Sequence, residues 1–262
     1  MIHRRTFLAV SGAATLAPLA HASLAAEPVA SGVRDYYHLQ QYQVDSEAQK
    51  ARLDAYLRDA AIPALNRLGV QPVGVFYPQE GISPVYVLLR HKSPEVLLTL
   101  TEKLLADEAF TSKGADVLSA TTPSPGFKRL ESSLLLAFKG MADLETPVKS
   151  PGRVFQLRTY ESPSVRTNRK KIEMFNDAGE LALFRRVGLN PVFFGESLVG
   201  AKMPNLTYML VFASPEEQKA NWQRFVTSPE WGKLKAMPEY FDKTILCGIT
   251  NLLLKPAEYS QI

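Results

Sequence analysis

Gly69-Val70-Gln71-Pro72-Val73 returns 119 residues later as Gly188-Leu189-Asn190-Pro191-Val192. Other landmarks recur in the same order around it. Leu39-Gln40-Gln41-Tyr42 returns as Leu157-Arg158-Thr159-Tyr160 at an offset of 118, and Ser93-Pro94-Glu95 returns as Ser214-Pro215-Glu216 at 121. Solenoid repeats have periods of roughly 20–50 residues, far shorter than this one. The pattern reads as a small domain written twice.

The second copy is the clearer. Val154 to Tyr160 alternates as a strand, Val165 to Val187 has helical composition ending at Gly188, and Val192 to Gly195 is a second strand. Leu206 to Phe212 is a third strand, and Ser214-Pro215-Glu216-Glu217 starts a helix with a serine cap, proline in the first turn and acids behind it. Ser228-Pro229-Glu230 restarts that helix, and Thr244 to Leu254 reads as the last strand. The first copy has the same order: strands over Tyr36–Val44, Val73–Phe76, Val85–Arg90 and Ser133–Phe138, with helices from Ser46 to Leu68 and from Ser93 to Leu105. This is βαββαβ, the ferredoxin-like arrangement. The predicted fold class is α+β: two tandem ferredoxin-like domains, 33–140 and 152–262, joined by a linker over 141–151. One such sheet carries helices on one face and leaves the other bare. Two copies packed sheet to sheet cover those faces, forming an α+β barrel within one chain.

The start of the chain reads as an address. His3-Arg4-Arg5-Thr6-Phe7-Leu8 is followed by an apolar run to Leu19 and by small residues at Ala20-His21-Ala22 and Ala25-Ala26. Charged, apolar and small-residue regions in this order predict a signal peptide over 1–26, of the twin-arginine type. The run is too short to span a bilayer, so no stable membrane anchor is expected. The predicted location is periplasmic or secreted. Cleavage after Ala26 leaves 28 basic and 26 acidic residues, a net charge of +2. No basic cluster suits nucleic acid. Arg166, Arg169, Lys170 and Lys171 read as a solvated helix start.

Cys247 is the only cysteine, so no internal disulfide forms; in an apolar strand it reads as an inert buried thiol. His38 and His91 are the only histidines after residue 26, which leaves too few ligands for an ordinary zinc site. No metal or cofactor is predicted. A small-molecule ligand and a homo-oligomer stay open as partners.

The second half resembles the NIPSNAP family, a branch of the dimeric α+β barrel superfamily. The resemblance lies in Phe155-Gln156-Leu157-Arg158-Thr159-Tyr160, Gly188-Leu189, Ser214-Pro215-Glu216-Glu217, and Trp222 followed by Pro229-Glu230-Trp231. Family members resemble His-Leu-Trp in the third strand, where this chain has Tyr208-Met209-Leu210, so no role passes to those positions. The resemblance implies the fold. Its superfamily includes haem-degrading and quinone-forming monooxygenases.

Alternation splits each first strand into two faces. Phe155 and Leu157 share one face, and Gln156, Arg158 and Tyr160 the other; in the first copy Tyr37 and Leu39 oppose His38, Gln40 and Tyr42. The apolar pairs are expected against the helices and the polar triples inside the barrel, where they form the candidate ligand site. Tyr86 and Tyr208, at matching places in the third strands, are expected to line the same cavity. His38 suits a base or a haem ligand. Arg158 suits a substrate carboxylate, or else an ion pair with Glu161 or Glu196, and Glu196 suits a general acid or base. Trp222, Phe225 and Trp231 read as core. No nucleophile elbow, phosphate loop or dinucleotide fingerprint appears. Two readings of function follow: a small apolar or aromatic ligand bound in the barrel, or a cofactor-independent monooxygenase or haem-handling enzyme.

Overall fold

The structure, a computed structural model, describes residues 33–262; the signal-peptide reading lies outside them. In the first half, β1 (Tyr36–Gln43) leads into α1 (Glu47–Tyr56), which continues through a π turn at Leu57–Ala61 into α2 (Ile62–Arg67). Then come β2 (Val73–Pro78), β3 (Val85–His91), α3 (Glu95–Leu105), α4 (Glu108–Lys113), α5 (Ala115–Leu118) and β4 (Arg129–Ala137). The second half runs β5 (Val154–Glu161), α6 (Val165–Asn176), α7 (Glu180–Val187), β6 (Asn190–Val199), β7 (Asn205–Phe212), α8 (Pro215–Thr227), α9 (Pro229–Leu234), α10 (Asp242–Ile245) and β8 (Gly248–Pro256).

Local chemistry explains most boundaries. The Ser46 and Ser214 side chains accept from the backbone N–H of Gln49 and Glu217, each at 3.2 Å, and Ser164 forms a capping box with Thr167. Gly69 (φ 78°) and Gly188 (φ 85°) leave their helices in the left-handed region, which explains why glycine recurs there. The helix predicted over 165–187 is two helices, because Gly179 (φ 93°) turns the chain between them. The last strand begins at Gly248, after the short α10 that takes up Asp242–Ile245.

Eight antiparallel strands close into a barrel in the order β1-β3-β2-β8-β5-β7-β6-β4. Each half contributes four adjacent strands, β4-β1-β3-β2 and β8-β5-β7-β6. The halves meet along β2–β8, where Tyr77 pairs with Lys255, and along β4–β6, where Leu135 pairs with Ser197. The described strands of one chain therefore close the barrel, and none of these eight has a free edge.

Three apolar layers result. Tyr37, Leu39, Phe76, Leu88, Phe155, Leu157, Phe193 and Met209 form one cluster drawn from both halves, inside the barrel. Tyr37 meets Phe193 at 4.8 Å and Phe76 meets Phe155 at 4.7 Å between ring centres, so the seams between halves are aromatic. The other two layers lie between strands and helices, one in each half. A fully buried Leu or Phe contributes about 1.5–3 kcal/mol.

This arrangement reverses the expected faces. Phe155, Leu157, Tyr37 and Leu39 point inward. Gln156, Arg158 and Tyr160, like His38, Gln40 and Tyr42, point outward toward the helices. The apolar sets of the two halves meet and pack against each other inside the barrel, and beside them, at one end, lies a polar cavity of about 360 Å³ lined by Gln41, Gln43, Glu131, Thr159, Lys202 and Thr250. Tyr86 and Tyr208 also part company: Tyr86 faces the interior and Tyr208 the helices. Val87, opposite Gln40, holds the register position that Tyr208 holds opposite Arg158. Cys247 is exposed, since it precedes β8.

Candidate functional site

The outward polar triples fall under different roofs. In the first half, β1 and its neighbours form the floor of a cavity of about 500 Å³, roofed by α1, the π turn, α2 and α3. His38, Gln40 and Tyr42 lie on its floor; Leu57, Ala61, Leu65, Leu100 and Phe110 line its walls. The Tyr42 hydroxyl donates to Gln40 Oε1 at 3.2 Å, which fixes that carboxamide. His38 Nδ1 is buried with no hydrogen-bond partner, and the His38 ring lies 6.3 Å from His91. Burial pushes both imidazoles down to about 4, the neighbouring His38 adding to the effect on His91, so both are neutral at pH 7. Leu105, Leu118, Leu130 and Val199 line the cavity and are 37–62% exposed, which makes its rim apolar. No Lys, Arg, Asp or Glu lines it.

The corresponding space in the second half is full. Tyr208 stacks on Phe194 at 4.7 Å, and Phe175 and Phe184 pack against both. The first half has Val87 in the place of Tyr208. The 118–119 offsets align Leu57 with Phe175 and Leu65 with Phe184. Three rings replaced by smaller aliphatic side chains leave the room that the cavity occupies.

The second triple serves other ends. The Tyr160 hydroxyl lies 2.9 Å from the Tyr208 hydroxyl in the aromatic layer. Gln156 is buried; its Oε1 accepts from Trp222 Nε1 at 2.6 Å and its Nε2 donates to Asn251 Oδ1 at 2.7 Å. Arg158 lies over the rings of Trp222 (4.8 Å) and Tyr160 (5.4 Å), in a separate open recess of about 340 Å³. Neither carboxylate expected beside Arg158 is its partner. Glu161 pairs with Lys202 at 3.3 Å and Glu196 with Arg169 at 3.0 Å. Glu196 lines neither the cavity nor this recess. The nine residues read as one site thus separate: His38, Gln40 and Tyr42 line one outer site and Gln156 and Arg158 another, Tyr160 and Tyr208 belong to the aromatic layer, Tyr86 faces the interior and Glu196 is in an ion pair.

Sequence reading missed two groups. His91 joins His38 because β1 and β3 lie side by side, a long-range pairing that no local pattern shows. Lys171 is buried at 1% exposure rather than solvated. Its position did carry a signal: Asn168, Lys171, Ile172 and Phe175 have the i, i+3, i+4, i+7 spacing of a buried helix stripe, and all four are buried. Among the described residues no group of three or more His, Cys, Asp or Glu is placed to hold a metal ion. No described helix is long and apolar enough to cross a membrane.

Residues 155–261 match the NIPSNAP family model. No curated protein matches the chain. Among solved structures, a protein from Fusobacterium nucleatum provisionally assigned as a monooxygenase superposes with a TM-score of 0.56 at 8% identity, over 86% of this chain and 94% of that one. A second provisional monooxygenase, from Lactobacillus acidophilus, gives 0.54 at 8% identity over 85% and 94%. An anthrone oxidase-like protein gives 0.50 at 9% identity over 86% and 92%. At these identities the likeness is one of fold: an α+β chain with a closed antiparallel barrel.

Proposed function

We propose that the chain is an exported NIPSNAP-like protein that binds one small, uncharged, apolar or aromatic molecule under the helices of its first half. The observation that carries this reading is the asymmetry between the halves. We take them as tandem ferredoxin-like copies, 33–140 and 152–262, of which the second has an aromatic filling and the first has aliphatic side chains and a cavity in its place. An enclosed apolar space with a few polar groups on its floor is the usual form of a small-molecule site. His38 and Gln40 supply hydrogen bonds to one end of the molecule, and the aliphatic walls take the rest. A charged ligand is disfavoured, because no ionic group lines the cavity to offset its desolvation.

The test is titration with N-phenyl-1-naphthylamine, an uncharged fluorescent probe. Saturable binding of one probe per chain is expected, lost when Leu57→Phe and Val87→Tyr restore the rings of the second half. Absence of saturation, or binding unchanged in that variant, overturns the reading. Export is tested separately: the protein should reach the periplasmic fraction, and Arg4→Lys with Arg5→Lys should retain it in the cytoplasm.

A second reading is favoured by His38 itself. The imidazole has a free buried nitrogen at the floor of an apolar cavity, placed to take a proton from a bound aromatic substrate, although burial lowers its basicity. A deprotonated anthrone reacts with O₂ without a cofactor: one oxygen atom becomes the new carbonyl and the other leaves as water. The solved neighbours provisionally assigned as monooxygenases, and the anthrone oxidase-like one, support this version by fold alone. Oxygen uptake with an anthrone, abolished in His38→Ala, is the expected result, and no uptake by the intact protein removes it. A haem-handling version predicts a Soret shift on haem titration that His38→Ala abolishes.

A further inference from the structure

We infer that the recess over Arg158 is a second ligand site, selective for a small oxyanion of carboxylate or phosphate type and independent of the apolar cavity. Arg158 is mid-strand in β5, and its Nε is buried with no hydrogen-bond partner. No carboxylate lies within ion-pair distance of it among the described residues; the two acids on its own strand edge and on β6 are held by Lys202 and Arg169. A guanidinium cannot shed its charge, and its five N–H groups have no acceptor role to fall back on.

The surroundings complete the case. Besides Arg158, Lys219 is the only ionic residue lining the recess, and it too is cationic. Asn251 stands directly opposite Arg158 across the β5–β8 pairing. Its Oδ1 is taken by Gln156 Nε2, so its amide presents N–H groups to the recess. The Gln156 carbonyl is likewise taken, by Trp222 Nε1 and by Gln218 Nε2. The Gln156 and Asn251 carbonyls are therefore engaged, the two cations remain, and Gln218 and Gln223 on the helix above carry amides that can turn a donor to an anion. The guanidinium carbon of Arg158 lies over the Trp222 ring, 4.8 Å from its centre, which helps hold the fork in place. A planar fork held ready is the geometry that carboxylates and phosphates recognise bidentately.

Trp222 is also the reporter, being one of two tryptophans. In full-length protein carrying Trp231→Phe, fluorescence is followed during titration with inorganic phosphate, and separately with acetate, at ionic strength held constant with sodium chloride. Saturable quenching by one of the anions is expected, and the stronger of the two names its class. Arg158→Gln should weaken that binding at least tenfold. Gln223→Glu, which sets a carboxylate on the exposed rim of the recess without touching the core, should do the same. A linear response to both anions, or saturation retained in both variants, overturns the proposal. Leu57→Phe with Val87→Tyr should leave anion binding unchanged; a loss there would show that the two sites are not independent.

Discussion

Lys171 Nζ lies 3.2 Å from Glu180 Oε2, and both side chains are at least 98% buried. The pair spans the Gly179 turn and ties α6 to α7. Lys171 Nζ also reaches Asp242 at 3.6 Å and sits over the faces of Tyr160, Phe175 and Trp231. Burial pushes the Glu180 carboxyl up, and the Lys171 ammonium opposes that push. Removing one partner leaves the other charge unpaired in an apolar layer. Lys171→Met should cost about 3–5 kcal/mol in chemical denaturation. The double variant Lys171→Met with Glu180→Leu should recover most of that loss. A single variant within 1 kcal/mol of wild type, on the scale of an exposed pair, would show that the pair is not the clamp.

Val87→Tyr places in the first half the ring that Tyr208 supplies in the second. Filling an existing space in a compatible rotamer commonly adds about 0.5–2 kcal/mol. The variant should melt at or above the wild-type temperature while losing the apolar probe. A drop in melting temperature would mean that the cavity walls cannot take a ring, and that the space is closed more tightly than its volume implies.

His38 and His91 predict a pH dependence. Each folded pKa, at about 4, lies below the ordinary 6.5, so the unfolded chain binds more protons between these values. Stability is therefore complete above pH 6.5 and declines as pH falls toward 4. One imidazole contributes on the order of 3 kcal/mol over that window, since each pKa unit is worth 1.36 kcal/mol. Melting temperatures at pH 7 and pH 5 should differ in wild type and converge in His38→Gln with His91→Gln. Equal melting temperatures in wild type at the two pH values would place these rings in contact with water.

Arg158→Ala should fold almost as stably as wild type. It removes no ion pair, but loses the contact with the Trp222 and Tyr160 rings, worth about 1 kcal/mol, and the interaction with the Tyr160 hydroxyl. Thermal denaturation checks this. A loss of about 3 kcal/mol or more is the mark of a broken buried pair, and would identify Arg158 as structural.

Cys247 should react with Ellman's reagent in the native protein, one thiol per chain, because it is exposed ahead of β8. Reaction only after unfolding would return it to the core.

The order of strands and helices, the closed α+β barrel and the recurring glycines were legible in the sequence, because each rests on local chemistry. Ser46 and Ser214 cap helices through atoms three residues away, and a left-handed turn asks for glycine wherever it occurs. The faces of the strands were not legible. A period of two separates Phe155 and Leu157 from Gln156 and Arg158, but alternation is symmetric and does not say which set turns inward. That was decided when β2 met β8 and β4 met β6, which set the apolar faces of the two halves against each other inside the barrel. The site was decided at the same level. Val87 is an ordinary strand residue until register sets it opposite Gln40, where the other half has Tyr208, and the cavity is the volume between those two side chains' sizes and those of their neighbours. Lys171 looked like one more exposed base in a basic run. Only the turn at Gly179, bringing Glu180 back against α6, made it a buried charge with a partner.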